Sequence, residues 1–79
     1  MKKQEKVYVL QSNYPNGKHT FEGKGKHRID PLSAWDVKEY AYRSLSGALS
    51  GKRALDEIRK KWNLTEITIE VVSTTLIYA

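Results

Sequence analysis

Lys18, Lys24, Lys26, His27 and Arg28 crowd into residues 18–28, where Glu22 is the sole acidic residue. Cations gathered this way bind anions, and phosphates above all. The glycines at 23 and 25 add to this, because a residue without Cβ lets backbone N–H groups come close to a bound oxyanion. The bias belongs to the whole N-terminal third: residues 1–28 hold seven Lys or Arg against two Glu, whereas residues 64–79 carry only Glu66 and Glu70. Lys2, Lys3, Lys6, Tyr14, Arg59 and Lys60 are auxiliary candidates for the same surface. The expected partner is therefore a nucleic acid held by its phosphates, or an acidic protein met by a small accessory or inhibitor protein of the kind phages and mobile elements use.

Other chemistry finds less support. His19 and His27 stand equally far from Gly23 and would face each other across a hairpin centred there, with Glu22 or Asp30 nearby. A structural zinc site needs four ligands and a catalytic one three, so no metal site is expected. With no cysteine, thiolate ligands, disulfides and Cys nucleophiles are excluded. The Gly47–Arg53 segment has three residues between its glycines and Arg53 after Lys52, which departs from the phosphate-binding loop of nucleotide-binding proteins. No Ser/His/Asp set is indicated. The expectation is a binding protein, not an enzyme, with no catalytic residues and no cofactor.

The elements that must position the basic segment are legible from periodicity. Lys6–Ser12 reads as a strand buried on both faces, Asn13–Gly17 as a turn, and His19–Glu22 as a short return strand. Gly23–Arg28 has no apolar periodicity and reads as an exposed loop. Ser33 followed by Asp36 marks a helix start near residue 34, with Val37, Tyr40, Ala41, Leu45 and Ala48 on one stripe. Gly47 and Ser50-Gly51 are expected to end that helix. A second, over about 51–62, carries Ala54, Leu55, Ile58 and Trp62 inward, its charges pairing as Arg53–Glu57, Asp56–Lys60 and Glu57–Lys61. Trp35, Tyr40, Tyr42 and Trp62 are expected to pack in the core. Asn63 can supply a left-handed stop. Thr65–Val71 then alternates strictly, with Ile67, Ile69 and Val71 inward; beyond Val71 the parity changes, which implies a bulge, a turn near Ser73-Thr74, or burial on both faces.

Taken together these predict a small α+β domain of two layers, an antiparallel sheet of about three strands in the order β-β-α-α-β with both helices on one face. A chain of 79 residues with 39% hydrophobic and 29% charged residues is one domain, 1–79, able to build a single shallow core. No apolar run reaches the length of a membrane span, and no secretion signal is evident, so the expected location is cytoplasmic, with no membrane partner. A strand over 65–78 would be long for so small a domain; its edge is a candidate for pairing two copies into a homodimer, and it carries a further function reading, an oligomerising structural protein that uses the C-terminal strand.

Overall fold

Val7, Tyr8, Val9 and Leu10 are successive β-branched, aromatic and aliphatic residues. In the computed structural model, which describes residues 3–29 and 33–78, they form the centre of β1 (Lys3–Asn13). A turn across Tyr14–Gly17 follows, closed by the Gly17 N–H donating to the Tyr14 carbonyl at 3.0 Å. Pro15 suits the second position of such a turn, and Gly17 takes φ of +85°, a conformation open to glycine. The chain returns as β2 (His19–Glu22), antiparallel to residues 10–13 of β1. On the other side, β3 (Thr68–Tyr78) pairs antiparallel with all of β1, from Lys3↔Tyr78 to Asn13↔Thr68. The sheet order is β2-β1-β3, which bears out the antiparallel three-stranded sheet of the α+β reading.

The unbroken register settles the parity change beyond Val71. Neither a bulge nor a turn is present; β3 buries side chains on both faces. Ile69 and Val71 point one way with Leu10, while Val72 and Leu76 point the other with Val7 and Val9. Ile67 is half-buried but precedes the strand, which begins at Thr68, not at Thr65.

Two helices complete the order β-β-α-α-β. α1 (Ala34–Tyr40) is capped as expected, Ser33 Oγ accepting from the Asp36 N–H at 3.1 Å. It ends at Ala41, and α2 (Leu45–Lys61) starts at once, capped by Ser44 through the Gly47 N–H. The break thus falls at 41–44, and Gly47, Ser50 and Gly51 lie inside α2. The end of α2 is as read: Asn63 adopts φ of +59°, with Leu64 N–H donating to the Arg59 carbonyl and Asn63 N–H to that of Lys60.

The helices occupy opposite faces of the sheet, not one. Val37 of α1, Ala41 and Ile29 pack on Val7, Val9 and Leu76, whereas Ala48 and Leu55 of α2 pack on Leu10 and Ile69. The cause is the shortness of β2. It covers only residues 10–13 of β1, leaving an open edge beside Tyr8, and the chain crosses from one face to the other there. Tyr42 pairs with that edge, each of Tyr8 and Tyr42 donating its N–H to the other's carbonyl at 2.8 Å.

This crossing also explains Gly51. A Cβ at that position would lie 2.6 Å from Tyr42 Cζ and closer still to Tyr42 Oη, so the tyrosine ring rests on bare helix backbone. Leu45, read as a core residue of a longer first helix, points outward once the break moves to 41–44. Ala54 and Trp62 are exposed too. Trp62 is the C-cap residue of α2 and is 68% exposed.

Candidate functional site

The basic segment folds into a second, smaller hairpin. Glu22 bridges to Arg28, Gly23 N–H donates to the His27 carbonyl at 2.8 Å, and Ile29 N–H donates to the Phe21 carbonyl at 2.7 Å. Its tip is a single 3-10 turn over Lys24–Lys26, with Gly25 at φ +67° and Lys26 at φ +60°. The turn is therefore centred on Gly25, not Gly23. His27 lies opposite Gly23, and His19 stands at the start of β2, edge-on to Phe21, so the two histidines do not meet. No group of three His, Asp or Glu side chains suited to a metal occurs among the described residues. Gly23 is needed for another reason: a Cβ there would collide with the Tyr40 carbonyl oxygen and come within 2.8 Å of Ile29 Cδ1. The loop base is thus pressed against the end of α1.

That contact builds a feature the sequence reading missed. His27 stacks on Tyr40, ring centroids 3.5 Å apart and planes 13° from parallel, and Trp35 meets the Tyr40 ring edge-on at 6.0 Å. Trp35 is 63% exposed, which corrects the expectation of a core residue. A signal was available: at about 100° per residue Trp35 lies roughly 160° around the helix from Val37, the residue α1 buries. Lys24 and Lys26 stand exposed beside this aromatic row, and among the described residues no carboxylate lies within ion-pair distance of either. Arg28 is exposed on the same hairpin. The imidazole of His27 has a second neighbour, the Asp36 carboxylate, 3.6 Å from its Nε2.

The other expected site residues are dispersed. Lys18 sits before β2 and Lys24 after it, about 20 Å apart at roughly 3.3 Å per residue. Lys3 and Lys6 are exposed on β1, Lys6 Nζ lying 5.9 Å from the centre of the Tyr8 ring. Tyr14 is half-buried, its hydroxyl 3.2 Å from Thr20 Oγ1. Lys60 is exposed on the last turn of α2. Lys2 and Asp30 lie outside the described residues.

Arg59 is turned into the fold. Its guanidinium donates to Glu22 Oε1 at 2.9 Å and to Ser12 Oγ at 2.8 Å, and the arginine and glutamate side chains are only 12% and 13% exposed. The nearby Tyr42 hydroxyl is held above its usual pKa by burial and secondly by the Glu22 charge. Within α2 the ion pair is Lys52–Asp56, at 3.0 Å, in place of the three expected pairs.

No protein-family model, curated protein or solved structure matches the chain. Among the described residues, no helix is long and apolar enough to cross a membrane.

Proposed function

We propose that this is a small non-enzymatic nucleic-acid-binding protein that takes single strands on the Gly23–Arg28 hairpin. The observation that carries this reading is the exposed Trp35 at the end of the His27–Tyr40 stack, beside two lysines that form no ion pair among the described residues. Cations alone suit any polyanion. An exposed indole beside them suits an unpaired base, which has a free π-face, whereas a duplex hides its bases in the stack. Lys24 and Lys26 neutralise phosphates, Arg28 flanks them, and Trp35 stacks a base. The net charge of +5 adds long-range attraction. A cytoplasmic location goes with this reading. An acidic protein remains the alternative partner, and it needs no aromatic platform.

The test is a fluorescence-anisotropy titration with single-stranded DNA, single-stranded RNA and duplex DNA over a range of salt. Single strands should bind tighter than duplex. Lys24→Ala/Lys26→Ala should lower the magnitude of the salt slope by about 1.4, at roughly 0.7 per lost phosphate contact. Trp35→Ala should weaken single-strand binding by about 1–3 kcal/mol and leave the slope unchanged. Equal affinity for duplex and single strand, or no effect of Trp35→Ala, would remove the stacking role; no binding near physiological salt would remove the nucleic acid altogether.

A further inference from the structure

The outer edge of β3 is an eleven-residue strand with no other strand beside it among the described residues. Its geometry follows from β1. Tyr8 exchanges hydrogen bonds with Tyr42, so even-numbered residues of β1 direct their N–H and C=O groups away from β3 and odd-numbered ones toward it. Through the observed register, Val7↔Thr74 and Val9↔Val72, the even-numbered residues of β3 bond to β1. The odd-numbered ones, Ile69, Val71, Ser73, Thr75 and Ile77, therefore present N–H and C=O outward. No hydrogen bond to those outward groups occurs among the described residues.

Long edges of this kind are ordinarily blunted by lysine, proline or a bulge. From Val71 to Tyr78 this one has no charge, no proline and no bulge. We infer that β3 pairs antiparallel with β3 of a second copy about a two-fold axis at Ser73, making a continuous six-stranded sheet.

The occupant is a second copy because the strand is complementary to itself. An axis at Ser73 is the only one that overlaps all of Thr68–Tyr78 with its mate, and it pairs odd with odd, so every outward group meets an outward group. The five odd positions then make about ten hydrogen bonds, two for each facing pair. Ile77, 55% exposed in one chain, comes to lie opposite Ile69 of the second copy, and Val71 opposite Thr75. Charge agrees. Glu70, the one charged residue of β3, faces Leu76 of the second copy, which keeps the two Glu70 side chains about 20 Å apart at roughly 3.3 Å per residue. An axis two residues earlier, at Val71, would bring them almost together. The Gly23–Arg28 hairpin lies at the opposite, β2 edge, so the inference stands apart from the nucleic-acid reading and leaves both hairpins open.

The experiment uses the full chain, which has no native cysteine. Sedimentation velocity across a concentration series reads the oligomer. Ser73→Cys and Thr75→Cys, both at exposed positions of one face, read the register by mild oxidation. In the Ser73→Cys dimer the two introduced thiols would face each other at the axis with Cα atoms about 5.5 Å apart, inside the range a disulfide spans. In the Thr75→Cys dimer the two substituted positions would be four residues out of register, about 13 Å apart. The expected result is a dimer that weakens on dilution, with Ser73→Cys cross-linking in high yield and Thr75→Cys at least tenfold more slowly. A monomer at all concentrations, or equal cross-linking by the two variants, would overturn the inference.

Discussion

Tyr42 is the residue on which most of this structure turns. Its backbone continues the sheet where β2 stops, its ring lies on α2, and its hydroxyl is 3.4 Å from the Gly23 carbonyl oxygen. Burial, and then the Glu22 charge, raise its pKa above the ordinary value of about 10. The folded state thus holds the phenolic proton more tightly than the unfolded chain does. Stability from this group is fully present below about pH 10 and is lost as pH rises from there through the folded pKa, because the unfolded state sheds the proton first. Thermal melts of the parent and Tyr42→Phe between pH 8 and 11.5 check this. The parent should lose melting temperature faster than the variant above pH 10, and parallel curves would show that the hydroxyl is not held in its neutral form. Trp35 makes a different point at this scale. Its exposure could be read from helical phase, but its role could not, since only the fold brings Tyr40 and His27 beside it.

At the scale of elements, glycine carried two opposite meanings. Gly47 and Gly51 read as a break in a helical pattern, and breaks are what unexplained glycines in a helix most often suggest. In the structure they are one turn apart inside α2, and Tyr42 lies along them. The two positions nevertheless differ. A Cβ at Gly47 would meet Ser44 Oγ at 3.1 Å and Tyr42 Cδ1 at 3.6 Å, whereas at Gly51 it would overlap the tyrosine ring. Gly47→Ala should be neutral or stabilising, by up to about 1 kcal/mol from helix propensity. Gly51→Ala should destabilise by about 1–3 kcal/mol, the overlap outweighing the same propensity gain. Urea denaturation of the pair measures the contrast, and equal effects would mean that the ring does not rest on Gly51. The strands show the same limit. β3 could be read as a strand up to Val71, yet its length and straight register depended on β1 being equally long.

At the scale of the whole molecule, the domain is elongated, 47 Å along its longest axis, with a radius of gyration of 13.0 Å against about 11.6 Å for a compact chain of this length. The β1–β3 ribbon supplies about 36 Å of that length at roughly 3.3 Å per residue, and a core divided between two faces gives each helix little to bury. The Arg59–Glu22–Ser12 network compensates by tying α2 to β2 and β1 in one place. Removing one partner strands the other charge in a site that is nearly closed to water. Glu22→Gln should therefore cost about 3–5 kcal/mol. Arg59→Met/Glu22→Leu/Ser12→Ala, which removes both charges and the buried hydroxyl bonded to them, should recover most of that loss. Chemical denaturation of the two variants decides it, and a Glu22→Gln protein as stable as the parent would make the pair incidental.

The sequence by itself determined the order of strands and helices, the Ser33 cap, the Pro15–Gly17 turn, the left-handed stop at Asn63 and the concentration of cations before residue 29. Each of these is local: it follows from the side chain and its neighbours within one turn or one pleat. Tertiary structure alone decided that the helices take opposite faces, that Arg59 is bound to Glu22, that Lys18 stands apart from Lys24, and that Trp35, Tyr40 and His27 form a row. These depend on where a four-residue β2 stops along an eleven-residue β1. Periodicity gives the phase of a side chain around its own element, but the partner on that side is set by how the elements are cut to length against each other.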